Sequence, residues 1–300
     1  MKKTLYGIVT ILTICLMLIM SGCSKKEATS LTIGLLPNLD SIPIILAKEK
    51  GYLDENINLE FFKSAVDRDT ALQTGNIDGT ASDLLSVIFL KDNNFDVLVT
   101  SATQGSFAIV TSPKLSSSSS TKTIAISTNT IIEYLTDIYM EKNNINLEKV
   151  AIPKMPTRLE MLQNNQVNMA TLPEPLATAC LLNGGVYSTT SEELGTNPAV
   201  MIFTKEATNN KSNLLSKFYE GYNEAVDYIN TTDKEEYIDI VMEKGNFPAP
   251  TKDTLPLPQY KHAYLPDENE LTLVNNWMIE KELTENEYIY KDITTDKFIK

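Results

Sequence analysis

Short apolar runs alternate with stretches of helical periodicity from position 31 onward, which predicts alternating strands and helices. Leu31-Thr32-Ile33-Gly34-Leu35-Leu36 reads as a strand, and Pro37-Asn38-Leu39-Asp40-Ser41 as the turn that follows. Ser41 is placed to cap a helix with Pro43 in its first turn and Gly51 as its stop. A second strand is predicted over 57–62, a helix over 67–74, a third strand over 79–82 and a helix over 83–91. Apolar strands follow at 97–101 and 107–111, around the turn Ala102-Thr103-Gln104-Gly105.

Positions 116–120 are all serine, a low-complexity loop, and the strand–helix pattern restarts beyond it. A strand over 123–126 leads through Ser127-Thr128-Asn129-Thr130 into a helix over 131–143. Ile131, Ile132, Leu135, Ile138 and Tyr139 lie on one face of that helix. Strands are predicted over 150–152, 169–172 and 200–203, with a helix over 158–163. Beyond 204 the pattern is helical, with Leu214, Leu215, Phe218, Tyr219, Tyr222, Ala225, Val226 and Ile229 in register. Further helices are predicted over 233–244 and 267–283, separated by a proline-rich extended segment at 247–258. Two such modules followed by helices predict a two-lobed α/β protein, with ligands at the carboxyl ends of its strands.

Composition narrows the functions open to it. The 300 residues carry 26 Lys plus Arg against 39 Asp plus Glu, a formal net charge of -13, and contain no basic run. Nucleic acid is therefore excluded as a partner, since phosphate binding needs a basic stripe. Lys2 and Lys3, an apolar stretch over 8–20 and Met20-Ser21-Gly22-Cys23 have the parts of a secretory signal. The cysteine directly after small residues resembles the bacterial lipoprotein box, which implies cleavage after 22 and lipid on Cys23. The other reading is an uncleaved membrane helix, for which the apolar stretch is short. Residues 23–30 form a tether.

Cys15 would leave with the signal, so Cys180 is the remaining thiol, set in an apolar run as a small hydrophobe. The single histidine, His262, removes His–His metal sites and reads as a surface or structural residue. Glycine-rich phosphate loops and nucleophile elbows are absent from the sequence. No cofactor or metal is expected, and catalysis is the weaker hypothesis.

Four stretches together resemble one family. Pro43-Ile44-Ile45-Leu46-Ala47-Lys48-Glu49-Lys50-Gly51-Tyr52-Leu53 is similar to the first helix and its exit in solute-binding proteins of nitrate-, sulfonate- and taurine-type ABC importers. That group includes binding proteins for thiamine pyrimidine precursors. The stretches 68–79, 158–162 and 172–177 match later elements in the same order. The resemblance implies a type II periplasmic-binding-protein-like fold, in which each lobe is a mixed sheet flanked by helices and the ligand cleft lies between. Lobe one would comprise 31–111 and 204–300 and lobe two 112–203, with crossovers near 110–113 and 202–205.

The resemblance further implies a monomeric, lipid-anchored protein at the extracytoplasmic face of the bacterial cell membrane. It would deliver a small organic solute to an ABC permease and its ATPase. Ligand contacts are expected from the cleft turns: Asn38, Asp40 and Ser41; Ser82 and Asp83; Thr103, Gln104 and Gly105; Ser127, Thr128, Asn129 and Thr130; and Glu174. Helix N-termini suit anions or carbonyl oxygens, while Asp83 and Glu174 suit ligand N–H groups. Several of these residues have a second reading: Ser41, Asn129 and Thr130 as helix caps, and Asp83 and Glu174 as capping or rim groups. Arg68 and Arg158, the two arginines of the chain, sit on predicted helices and read as solvated. Carboxylates at the cleft favour a nitrogen heterocycle over a sulfonate. An extracytoplasmic enzyme on the same scaffold and a sensing or scaffolding lipoprotein are the competing readings.

Overall fold

Two five-stranded sheets organise the chain in a computed structural model that describes residues 30–112 and 122–299. The signal segment, Cys23, most of the tether and the serine run lie outside the described residues. The first sheet contains β1 (Leu31–Leu35), β2 (Ile57–Phe61), β3 (Gly79–Asp83), β4 (Val97–Ala102) and β10 (Ala199–Thr204), in the order β2-β1-β3-β10-β4. Strands β1, β2 and β3 run parallel, and β10 is antiparallel to β3 and β4. The parallel strands are linked by α1 (Ile42–Glu49) and α2 (Ala65–Gln73), and α3 (Leu84–Asp92) follows β3.

The second sheet repeats this plan with β5 (Phe107–Thr111), β6 (Thr123–Ile126), β7 (Glu148–Ala151), β8 (Met169–Pro173) and β9 (Val186–Thr190). Its order is β7-β6-β8-β5-β9, with β6 parallel to β7 and β8 and with β5 antiparallel to β8 and β9. Four helices belong to it: α4 (Ile131–Asn143), α5 (Met155–Gln163), α6 (Leu176–Leu182) and α7 (Ser191–Leu194). In each lobe the antiparallel strand beside the parallel trio is the first strand after the chain crosses over.

The crossovers therefore differ from expectation. β5 already pairs in the second sheet and β10 already pairs in the first, so the chain crosses at 103–106 and returns at 195–198. The turn at 102–105 does not close a hairpin; it passes from lobe to lobe. An apolar run shows that a strand is buried but not which sheet it joins. Packing at Gly79 illustrates how tightly β10 is seated, because a Cβ there would stand 2.6 Å from the Ile202 carbonyl oxygen.

The remaining helices are α8 (Lys205–Asn210), α9 (Ser212–Thr231), α10 (Ile238–Lys244), α11 (Glu268–Glu280) and α12 (Tyr290–Ile293). The eight apolar positions read from the sequence of α9 are all buried, packed with α1 and β1. Each large side chain so buried stabilises by roughly 1.5–3 kcal/mol. Helix α11 lies between the lobes: Val274 and Met278 join a core with α3 and α4, and Trp277 meets Tyr134 of α4 edge-on at 5.5 Å. Lys281, just past α11, reaches Glu133 at 3.2 Å and Asp137 at 3.1 Å on α4.

Candidate functional site

A cavity of about 40 Å³ lies between the lobes, walled by the ends of β1, β3, β6 and β8 and by α2 and α5. A buried water needs roughly 10–15 Å³ on this measure, so the space suits a solute of a few heavy atoms. Asn38, Asp40, Ser82 and Asp83 come from lobe one, and Ser127, Thr130, Pro153 and Met155 from lobe two. Six of the residues expected at the cleft thus line one cavity.

Two further residues line it, and they overturn an expectation. Arg68 and Arg158 are not solvated; they are 2% and 1% exposed, and both face the cavity, one from each lobe. Their helices explain the burial. Arg68 lies on the buried face of α2 with Ala71 and Leu72, and Arg158 on that of α5 with Met155 and Leu162. The spacing of three and four residues to apolar neighbours was the signal in the sequence.

The two guanidinium groups are satisfied very differently. Arg68 donates from Nε to Asp69 Oδ1 at 2.8 Å, from Nη1 to the Ala81 carbonyl at 3.0 Å and from Nη2 to Ser82 Oγ at 2.9 Å. Arg158 donates from Nη1 to the Ile152 carbonyl at 3.0 Å, while its Nε is buried without a partner. Among the described residues Arg158 has no ion pair, and burial alone pushes its guanidinium down to about 10. It stays charged at neutral pH.

On the lobe-one side, Asp40 is 4% exposed. Its Oδ2 accepts from Asn38 Nδ2 at 3.3 Å, and its Oδ1 is buried without a partner. Burial pushes the carboxyl up to about 7, against the Thr103 hydroxyl and the field of Arg68. Gly105 of the first crossover passes close by, since a Cβ there would stand 3.2 Å from Asp40 Oδ1. Asp83 caps α3 by accepting from Ser86 N at 2.9 Å, and burial raises its carboxyl too. That carboxylate answers the helix N-terminus, which is no longer a free anion site.

The other expected residues sit elsewhere. Ser41 holds the N-cap position of α1, but its hydroxyl donates to the Leu36 carbonyl at 2.7 Å and to Asn38 Oδ1 at 3.1 Å. It ties the β1 turn together instead of capping the helix. Thr130 does cap α4, accepting from Ile132 N at 3.2 Å. Thr128 and Asn129 line a separate hollow of about 360 Å³ beside α2 and α3, and Asn129 has a left-handed φ of 55°. Thr103 is buried at the crossover, where its hydroxyl makes no well-formed hydrogen bond but bears on the Asp40 carboxyl.

Gln104, Gly105 and Glu174 line a wider cleft of about 630 Å³ along the crossovers, with Tyr187, Lys261 and Tyr264. Glu174 is engaged within its own lobe, where Oε2 accepts from Thr178 N at 2.9 Å and Oε1 from the Tyr187 hydroxyl. Cys180 is buried, and burial raises its thiol to about 11, which leaves it unreactive at neutral pH. His262 pairs with Asp227 at 2.7 Å on the surface. The described residues hold no cluster of metal-ligating side chains.

Two mixed sheets with flanking helices and a cavity between them define the two-lobed periplasmic binding protein fold. The chain belongs to the NMT1-like family, whose model matches residues 24–242. Solved structures share the fold at low sequence identity. The ligand-binding component of an ABC-type import system from Staphylococcus aureus, with zinc bound, is 13% identical at a TM-score of 0.76, over 90% of this chain and 98% of that one. The periplasmic nitrate-binding protein NrtA from Synechocystis PCC 6803 is 11% identical at 0.75, over 91% and 87%. The periplasmic aliphatic sulphonate binding protein SsuA from Escherichia coli is 16% identical at 0.68, over 89% and 92%. No curated protein matches in sequence.

Proposed function

We propose that this protein is the extracytoplasmic solute-binding component of an ABC import system, which captures a small solute by closing two lobes around it. The observation that carries this reading is the cavity walled by both lobes, with an arginine and unpartnered polar atoms buried in its lining. A solute touching both walls favours the closed form, whereas one bound equally by open and closed forms shifts nothing. The crossovers at 103–106 and 195–198 are the segments that would flex. The protein then hands its solute to a permease and does not transform it. The buried Arg158 gives an acceptor-bearing solute a partner, so the carboxylates at the cleft no longer favour a heterocycle over an anion by themselves.

Lipid on Cys23 would hold the protein at the membrane after removal of residues 1–22; among the described residues no helix is long and apolar enough to cross one. Cys23→Ala should block lipidation and leave the chain unprocessed or released, read by intact mass and fractionation. Unchanged mass and membrane retention would remove the anchor from the account. For the binding role, native mass spectrometry of freshly purified protein should reveal a small noncovalent adduct that is recovered chemically unchanged. Its conversion to a product on incubation would instead favour the enzyme reading.

A further inference from the structure

Three buried side-chain polar atoms make no well-formed hydrogen bond among the described residues, Asp40 Oδ1, Thr103 Oγ1 and Arg158 Nε, although the Thr103 hydroxyl still bears on the Asp40 carboxyl. Such atoms are rare in folded proteins, and each left unmade costs about 1–3 kcal/mol, more when charged. Two of the three belong to residues lining the inter-lobe cavity. One is an acceptor on lobe one and the other a donor on lobe two. Asp40 and Arg158 do not form an ion pair with each other, so neither completes the other.

We propose that the cavity is two-ended, taking a small solute whose donor end, an ammonium or ring N–H, rests on Asp40 and whose acceptor end, a carboxylate or similar oxyanion, rests on Arg158. The assignment rests on the solute-binding reading and adds the chemistry and orientation of the ligand. A solute with only an acceptor end would leave Asp40 Oδ1 unmet and bring negative charge toward Asp40 and Asp83. One with only a donor end would leave Arg158 buried and uncompensated, which is the costlier omission. Arg68 is the weaker competitor for the acceptor end, because each of its three nitrogens already donates, to Asp69, Ala81 and Ser82.

The groups that act on Asp40 make a pH signature. Arg68 of α2 and Asp83 of β3 bear on it from the cavity side. The buried hydroxyls of Tyr222 on α9 and Tyr260 in the C-terminal segment bear on it from behind. With its carboxyl raised to about 7, Asp40 gains its charge as pH rises from 6 to 8, while Arg158 remains charged throughout. A two-ended solute should therefore bind more tightly toward pH 8, by up to about tenfold.

Calorimetry on the full chain in mild detergent, stripped of bound solute, tests this with glycine, β-alanine and γ-aminobutyrate as two-ended probes. Acetate and methylammonium serve as their halves. At least one amino acid should bind ten times more tightly than either half, with affinity rising from pH 6 to pH 8. Asp40→Asn and Arg158→Gln should each lower it roughly 10- to 150-fold, the range for a lost charge-assisted hydrogen bond. Asp40→Asn should also flatten the pH dependence. Arg158→Lys, which keeps the charge, should retain part of the affinity, and a urea midpoint that does not fall separates lost contacts from lost fold. Acetate binding as tightly as the best amino acid, indifferent to Asp40→Asn, would overturn the two-ended assignment and leave the binding role standing. Failure of all five probes on stripped protein that rebinds its co-purified solute would do the same. Only protein that carries no solute and binds none would count against the binding role itself.

Discussion

The two walls of the cavity use the same residue in opposite ways. In lobe one, Arg68 is built into the fold: its guanidinium holds Asp69, the end of β3 and Ser82 together. In lobe two, Arg158 is buried as deeply but makes one hydrogen bond and no ion pair among the described residues. Burial and charge alone therefore do not distinguish a structural arginine from one poised for a ligand. The number of donors already engaged does. The lobe-one wall is finished except at Asp40, and the lobe-two wall is finished except at Arg158.

Removing each arginine should separate these roles most widely. Arg68→Met strips partners from Asp69, Ser82 and the Ala81 carbonyl and should lower stability by about 3–5 kcal/mol, as for breaking a buried ion pair. Arg158→Met removes an uncompensated buried charge, so its stability should stay within about 1 kcal/mol of wild type or exceed it. Urea unfolding of both variants reads the contrast directly. Equal losses would mean that Arg158 is as structural as Arg68.

Asp40 supplies the next effect. Its native carboxyl, raised from 3.8 to about 7, binds a proton across a range where the unfolded chain has released it. Stability should therefore fall as pH rises from about 4 to about 7, by a few kcal/mol at most. Asp40→Asn should remove that slope in pH-dependent thermal unfolding. A slope unaltered by the substitution would locate the titration elsewhere.

The repeated module was legible in the sequence because strong periodicity and caps marked it. The helix read over 131–143 matches α4, and the buried face of α9 was spelled out residue by residue. The edge strand β9, with its exposed and half-buried positions, gave no apolar run to read. Strand membership was also hidden, since β5 and β10 pair with residues far away in the chain. Six residues that the sequence places at turns after strand ends line the cavity. The arginines were not legible as cavity residues because charge points to solvent, and only their spacing to apolar neighbours on one helix face marks the burial.

Smaller changes sharpen the comparison between lobes. Thr130→Ala removes the cap of α4 and should cost lobe two about 1 kcal/mol, visible in hydrogen exchange of that helix. Loss confined to lobe one would contradict the assignment. Lys281 is partly solvated; burial disfavours its charge, but Asp137 and Glu133 outweigh that and raise its pKa. Lys281→Ala should loosen the contact between α11 and lobe two by about 1 kcal/mol or less, and only at low salt. A larger, salt-independent loss would show that the ion pairs are not the link.

Small-angle scattering tests the central claim that a solute bridges both walls. Wild-type protein stripped of its co-purified solute and then reloaded with it should become measurably more compact. Arg158→Met, folded and given the same solute at the same concentration, should keep the expanded profile. Compaction of equal size in both proteins would contradict the claim that lobe two closes on its ligand through Arg158.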